Sequence, residues 1–365
     1  MSTRPRSFAS DNASGVCPEA WEALAEANRG HTPAYGADPW TERAVALLRE
    51  TFETDCRVYF TFTGTAANAL ALGACVRSHH AILAHELAHI EVDECGAPEF
   101  FTGGAKVVRV DGAHGKLEPA AVTEAAERRR DVHFPRARAV SLTQATEMGT
   151  VYTAEEVRAL AAAARTARMA VHIDGARFAN AVATLESPPR ELSADAGVDV
   201  LCLGGTKNGL PAGEAVLFFN GELADEFESR IKQAGQLASK ARFLAAPWVG
   251  VLENGAWLRH ARNANTRAAQ LESGLRRLAE RWPYVTIVHP REANVVFVRL
   301  PPSTMSGLQA AGWFFYDFPA AGGARLMCSW DTTESDVNDF LDAIAALLPD
   351  SRPDEETDAY PVMRH

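Results

Sequence analysis

The 365-residue sequence predicts an α/β protein: a large domain built on a mostly parallel sheet, followed by a smaller α+β C-terminal domain. Two observations carry the fold class. Over roughly the first two thirds of the chain, short apolar runs alternate with amphipathic ones, the pattern of strands joined by crossover helices. After about residue 245 the rhythm changes to a long helical stretch followed by short strand-like runs. The length also exceeds the ~100–200 residues of a usual single core, which favours two domains.

Taken in order, residues 57–62 (RVYFTF) read as a strand, 64–76 as a helix, and 81–84 and 106–110 as strands. A helix is expected over 118–128, a strand over 139–143, an Ala-rich helix over 154–168, and strands over 170–173, 198–203 and 215–219. The C-terminal third predicts a helix over 253–281, strands over 285–288 and 293–299, a helix near 306–312, a strand around 325–328 and a helix over 334–348. The expected division is an N-terminal arm and helix (1–40), a large domain (41–250), a small domain (251–348) and a Pro- and acid-rich disordered tail (349–365). The arm is expected to pack on the small domain or on a neighbouring subunit.

Composition narrows the function classes. Hydrophobic residues make up 47% and charged residues 23%, an ordinary globular balance. A formal net charge of −11 argues against a polyanion binder, which needs a basic footprint to release counterions, so no nucleic-acid partner is expected. The basic cluster Arg128, Arg129, Arg130, Arg136 and Arg138 is interrupted by Asp131 and Pro135 and reads as a solvated connection. No apolar run reaches the ~18–20 residues of a membrane span, and the first residues lack the apolar stretch of a secretory signal. Cys17, Cys56, Cys75, Cys95, Cys202 and Cys328 are scattered singly, with no zinc-type spacing, so a reduced cytoplasm and no metal site are expected.

In parallel sheets, ligands bind beyond the carboxyl ends of the strands, so polar residues that follow apolar runs carry the information. The run AVHI ends in Asp174-Gly175-Ala176-Arg177, DVLCLGG ends in Thr206-Lys207, and RVYFTF ends in Thr63-Gly64-Thr65 before a helix. A Gly-Thr turn opening a helix offers backbone N–H groups and a hydroxyl to an anion, although the same residues equally make a plain N-cap. Lys207, among small residues at the end of an apolar strand, has the setting of an amine that forms a Schiff base, or of a surface lysine in a Gly-rich turn. Asp174 shifts that balance. An acid at a strand end that protonates a pyridine nitrogen, together with a lysine, is the pyridoxal-phosphate arrangement.

The strings TFTGTAANALAL (61–72), HIDGARFANA (172–181) and LGGTKNG (203–209) resemble the cofactor-binding segments of L-threonine aldolases in the aspartate-aminotransferase-like group. PAYGADPW (33–40), AHELAHIEVDECG (84–96), QATEMGTVY (144–152) and ARLMCSWDTTESDV (324–337) resemble the same family, on its bacterial low-specificity branch, which includes phenylserine-cleaving members. The resemblance spans about residues 8 to 348. It implies fold type I with a seven-stranded large-domain sheet, pyridoxal 5'-phosphate as cofactor, and retro-aldol cleavage of threonine, allo-threonine and related β-hydroxy-α-amino acids to glycine and an aldehyde. A homo-oligomer, a dimer of dimers, is also implied.

Carried over residue by residue, the resemblance implies that Lys207 binds the cofactor covalently, Asp174 pairs with its ring nitrogen and Arg177 lies beside the ring. It implies that Gly64 and Thr65 bind the phosphate with Thr206 near them, and that His89 stacks on the ring and serves as a candidate base. Ser10 and Arg325 would hold the substrate carboxylate, and Tyr35 and Glu94 fall at motif positions close to the cofactor. Two positions depart from the family pattern. Glu147 stands where many members carry a histidine that assists at the substrate hydroxyl, and Asp93 stands where an aromatic residue is common. His85, four residues before His89, reads as an ordinary packed or surface histidine. A β-eliminating lyase, a glycine-transferring transaldolase and a non-catalytic cofactor-binding protein remain the competing readings. A nicotinamide enzyme is disfavoured because no G-x-G-x-x-G follows the first strand.

Overall fold

Seven apolar runs assemble into one sheet. In the computed structural model, which describes residues 6–128, 131–318 and 322–350, these strands are β1 (Arg57–Thr61), β2 (His80–His85), β3 (Lys106–Val110), β4 (Arg136–Thr143), β5 (Ala170–Gly175), β6 (Val200–Leu203) and β7 (Glu214–Phe218). Their order is β1-β7-β6-β5-β4-β2-β3. Neighbours run parallel except that β7 is antiparallel to both β1 and β6. Helices cover both faces, which is why the central strands read as near-continuous apolar runs rather than alternations.

Helices α1 (Pro18–Ala27), α2 (Pro39–Thr51), α3 (Gly64–Cys75) and α4 (Ala154–Thr166) start where local chemistry directs them. Thr63 caps α3 through its side chain, and Thr153 and Glu156 form a reciprocal capping box on α4. The expected helix over 253–281 is α6 (Ala256–Arg281), and a further helix that the sequence pattern did not predict, α5 (Arg242–Glu253), precedes it. They are separated by Asn254 and by Gly255 in the left-handed conformation (φ 61°), which ends one helix and starts the next. The expected helix near 306–312 starts earlier, at Pro302, a residue suited to a first helical position.

The C-terminal third builds a second sheet, of antiparallel strands β8 (Thr286–Ile287), β9 (Val295–Arg299), β10 (Tyr316–Phe318) and β11 (Gly323–Met327), in the order β10-β11-β9-β8. α6 and α7 (Glu334–Leu347) close its core through Leu271, Leu275, Phe340 and Ile344. The N-terminal arm joins this unit: Arg6–Ser7 pairs in parallel with Trp313–Phe314, and Phe8 stacks on Phe340 at 4.6 Å between ring centroids. Of the basic cluster, Arg138 donates to the Arg168 carbonyl (3.3 Å) at the start of the sheet, while Arg129 and Arg130 lie outside the described residues, as does the expected tail beyond residue 350. Among the described residues no helix is long and apolar enough to cross a membrane.

Candidate active site

The carboxyl ends of the parallel strands meet at one rim of the large sheet and surround a cavity of ≈ 460 Å³. Each contributes. From β1 come Thr63, Gly64 and Thr65 at the amino end of α3; from β2, His89 and Glu94; from the loop after β4, Glu147; from β5, Asp174; and from the turn after β6, Thr206 and Lys207. The sequence-predicted residues Gly64, Thr65, His89, Glu147, Asp174, Thr206 and Lys207 therefore face a single space.

The buried Asp174 carboxylate is fixed by two donors: the Ala176 backbone N–H to Oδ1 (3.1 Å) and Asn68 Nδ2 to Oδ2 (3.0 Å). Asn68 Nδ2 also donates to Glu94 Oε1 (2.9 Å), which accepts from His89 Nδ1 at 2.8 Å. A chain of contacts thus runs from the half-buried imidazole to the strand-end acid. The bond to Glu94 pulls the His89 pKa up despite partial burial, and burial in turn raises that of Glu94, so the pair retains a proton to higher pH than free histidine. With Nδ1 protonated and bonded to a carboxylate, Nε2 is the nitrogen left for chemistry. Behind Asp174, His172 sits between Ser141 Oγ (2.9 Å) and Cys202 Sγ (3.3 Å), and burial lowers its pKa to about 4, so it is neutral at physiological pH.

The lysine turn is pinned on both sides of Lys207. Glu214, the first residue of β7, accepts from the Gly205 N–H (2.5 Å) and the Thr206 hydroxyl (2.7 Å). Asn208 donates to the Trp257 carbonyl (2.8 Å), and the Gly209 carbonyl accepts from the Cys17 N–H (2.8 Å). Glu147 is carried on an equally braced turn: Thr146 N–H to Thr150 O (2.9 Å), Gly149 N–H to Thr146 O (2.9 Å), and the Thr146 and Thr150 hydroxyls both on the His114 carbonyl. Gly149 has φ 81°, and a Cβ there would collide with the Val295 side chain of β9, so the turn is wedged against the small sheet.

Five predicted positions lie outside the lining of this cavity. Arg177 is buried and committed to Asp11 of the arm, through Nε to Oδ2 (2.7 Å) and Nη2 to Oδ1 (2.9 Å). Asn294 of the small-sheet unit also donates to Asp11 (3.1 Å). Burial alone would raise the Asp11 carboxyl and lower the Arg177 guanidinium; their mutual attraction reverses both shifts. Arg325 of β11 donates to the carbonyl of Ala9, next to Ser10 (3.2 Å), and its buried Nε has no partner among the described residues. Ser10 caps the turn at Asp11–Ala13 by accepting from the Asn12 N–H (3.2 Å) and lines a second cavity of ≈ 510 Å³ against Trp313 and Phe314. Tyr35 is exposed, with the Lys232 ammonium 5.0 Å from its ring centroid, and Asp93 is exposed at the end of the His89 helical turn. His85 is packed and satisfied, by Gly112 O and the Leu87 N–H.

Sequence reasoning missed Asn68, Glu214, Asp11 and Asn12, the last a cavity-lining residue of the arm. Asn68 was findable as the lone polar side chain inside the apolar string AANALALGA, and Glu214 as an acid opening the apolar run EAVLFF.

Comparison with known proteins adds three findings. The family model described as beta-eliminating lyase matches residues 7–301. Low specificity L-threonine aldolases of Pseudomonas aeruginosa (strain PAO1) and Pseudomonas sp. (strain NCIMB 10558) are 56% and 52% identical over 348 residues, covering 95% of this chain and 99% of each relative. A solved structure of Leishmania major threonine aldolase superposes with a TM-score of 0.88 at 28% identity, covering 94% of this chain and 99% of that one.

Proposed function

The chain belongs to the beta-eliminating lyase family, among its threonine aldolases, and from that membership and the cavity's own residues we propose a pyridoxal 5'-phosphate-dependent, low-specificity L-threonine aldolase. Its reaction converts a β-hydroxy-α-amino acid to glycine and an aldehyde. The observation that carries this reading is the convergence of Lys207, Asp174 and the amino end of α3 on one cavity.

The residues fit the cofactor. Two buried acceptors beside the cavity, Asn68 Oδ1 and Glu94 Oε2, have no partner among the described residues, so this wall has hydrogen-bonding capacity to spare. The Lys207 amine likewise has no hydrogen-bond or ion-pair partner among them. Lys207 would hold the cofactor covalently, Asp174 would face its ring nitrogen, and the N–H groups and hydroxyls at Thr63–Gly64–Thr65 would hold its phosphate at a helix amino terminus. When bound, pyridoxal phosphate supplies an electron sink for the charge left on Cα as the Cα–Cβ bond breaks.

The protein's part is positioning and proton transfer. Arg325, with the planar fork suited to a carboxylate, would orient the substrate with Ser10, and Arg177 backs that pocket. Burial and the nearby Arg177 charge both lower the Arg325 pKa, and an incoming carboxylate relieves that repulsion. Glu147 on its braced turn, or His89 through Nε2, accepts the β-hydroxyl proton; the C–O bond becomes a carbonyl as Cα–Cβ breaks, and a proton delivered to Cα completes glycine. Tyr35 and Asp93, both exposed, are read as substrate-side residues completed by a second subunit.

The same reading gives a domain division at residues 1–40, 41–250 and 251–348, a cytoplasmic location supported by six free cysteines, and a dimer of dimers supported by the exposed Trp21, Val92 and Phe100. The test is a panel of threonine, allo-threonine and phenylserine with aldehyde and glycine detection, with and without added cofactor. Cofactor-dependent acetaldehyde and glycine from threonine are expected. Pyruvate and ammonia would identify a β-eliminating lyase instead, and no turnover on the panel would overturn the assignment.

A further inference from the structure

Asn68 is a buried amide, 2% exposed, in the otherwise apolar body of helix α3. It follows Gly64 by four residues and Thr65 by three, so it stands on the helix face that opens, one turn earlier, at the phosphate end of the cavity. Its Nδ2 donates to Asp174 Oδ2 (3.0 Å) and to Glu94 Oε1 (2.9 Å), one hydrogen to each. Two carboxylate oxygens can be met only by the donor end of the amide, which leaves Oδ1 buried with no partner among the described residues. An orphaned buried acceptor is costly, and an apolar side chain would suit the helix better, so the packing of α3 does not account for an amide here. What accounts for it is the pair of acids it bridges.

We propose that Asn68 is a positioning residue that aims the Asp174 carboxylate at the cofactor ring nitrogen and, through one turn of α3, ties that acid to the phosphate end of the cavity. This rests on the reading of Asp174 as the partner of the ring nitrogen. Among the described residues the other donor to the Asp174 carboxylate is the Ala176 N–H on Oδ1 (3.1 Å), a single bond about which the group can swing. Asn68 on Oδ2 supplies the second point, and a carboxylate gripped at both oxygens has a fixed direction. Glu94 anchors the amide by its other hydrogen. Because Glu94 Oε1 also accepts from His89 Nδ1 (2.8 Å), one side chain places both the acid and the imidazole of the cavity.

The test uses the full chain freed of cofactor and two probes compared by equilibrium dialysis. One is pyridoxal phosphate; the other is its 1-deaza analogue, which keeps the aldehyde and the phosphate but has carbon in place of the ring nitrogen. The wild type is expected to prefer pyridoxal phosphate. Asn68→Ala keeps the helix and removes the donor, and is expected to cut that preference about tenfold, the scale on which loss of a holding group's hydrogen-bond partner acts, with little change for the analogue. General damage to the fold or to the phosphate end would weaken both probes alike, so a ratio that stays at the wild-type value overturns the proposal. If Asn68→Ala does not fold, Asn68→Leu, which fills a similar volume without a donor, is judged by the same ratio. In an Asp174→Ala background there is no carboxylate to aim, so adding Asn68→Ala is expected to leave the ratio unmoved, and a further fall there also overturns the proposal. Failure of the underlying reading of Asp174 looks different: the wild type itself would show no preference between the probes.

Discussion

Asp11→Ala tests the ion pair that fastens the arm to the rest of the molecule. Asp11 is 1% exposed and Arg177 6%, and the pair is bidentate, with Asn294 as a third donor. Deleting the carboxylate leaves a buried guanidinium without its charge partner. Breaking a buried pair this way costs about 3–5 kcal/mol, against under ~1 kcal/mol for an exposed one. At roughly 2 °C per kcal/mol for a chain of this size, Asp11→Ala is expected to melt about 6–10 °C lower. The sign of the pH dependence follows from the depressed Asp11 carboxyl. Its stabilisation is complete above the ordinary aspartate value of ~4 and disappears as pH falls through the lowered one, so the gap between wild type and variant closes in acid. Asp11→Leu combined with Arg177→Met removes both charges and is expected to regain most of the lost stability, because apolar replacement of a buried pair is close to neutral. Urea and thermal melts in a series from pH 7 down to about pH 2 measure all three chains. A loss below ~1 kcal/mol at pH 7, or a gap that persists in acid, refutes the reasoning.

Glu147→Gln is expected to lower turnover about 10²–10⁴-fold with cofactor absorbance intact, and near-normal turnover removes the carboxylate as the base. Gly149→Ala forces a side chain onto a left-handed residue and into Val295; a loss of about 1–3 kcal/mol in urea melts is expected, with a fall in kcat from the displaced Glu147 turn, and wild-type values for both would show the turn to be pliable. Glu94→Gln removes the carboxylate that raises His89. The His89 ring midpoint, read by nitrogen-15 NMR, is expected to move down, and the pair's stabilisation, full below ~6.5 and lost as pH rises through the raised value, is expected to shrink. An unmoved midpoint would assign the shift to Asp174 and Glu147 instead.

How far the sequence could be read depended on the range of the contacts. Asp174 and Lys207 are visible because a strand buried on both faces must be apolar until it ends, so the first polar residue after it marks the rim. The arm's attachment was legible only as a choice between two surfaces, since pairing of Arg6–Ser7 with Trp313–Phe314 leaves no periodic signal in two residues. The helix α5 was missed because Pro247 and Gly250 lie inside it, and both residue types count against a helical reading. Arg177 was placed beside the cofactor from its motif alone, and nothing local announces Asp11, 166 positions away, as its partner.

Glu214 escaped for a different reason, and it bears on how such sheets are searched. Scanning the carboxyl ends of apolar runs assumes that every strand points the same way, and here six of the seven do. The reversed strand presents its amino end to the site, so its functional residue precedes the apolar run instead of following it. An acid at that place is costly to bury unless donors meet it, and the donors it found, Gly205 and Thr206, belong to the turn that carries the lysine. The reversal of β7 therefore does more than complete the sheet. It brings a carboxylate, from a strand that begins seven residues after Lys207, back to the base of the same side chain, which parallel strands separated by a crossover helix could not do over so short a connection.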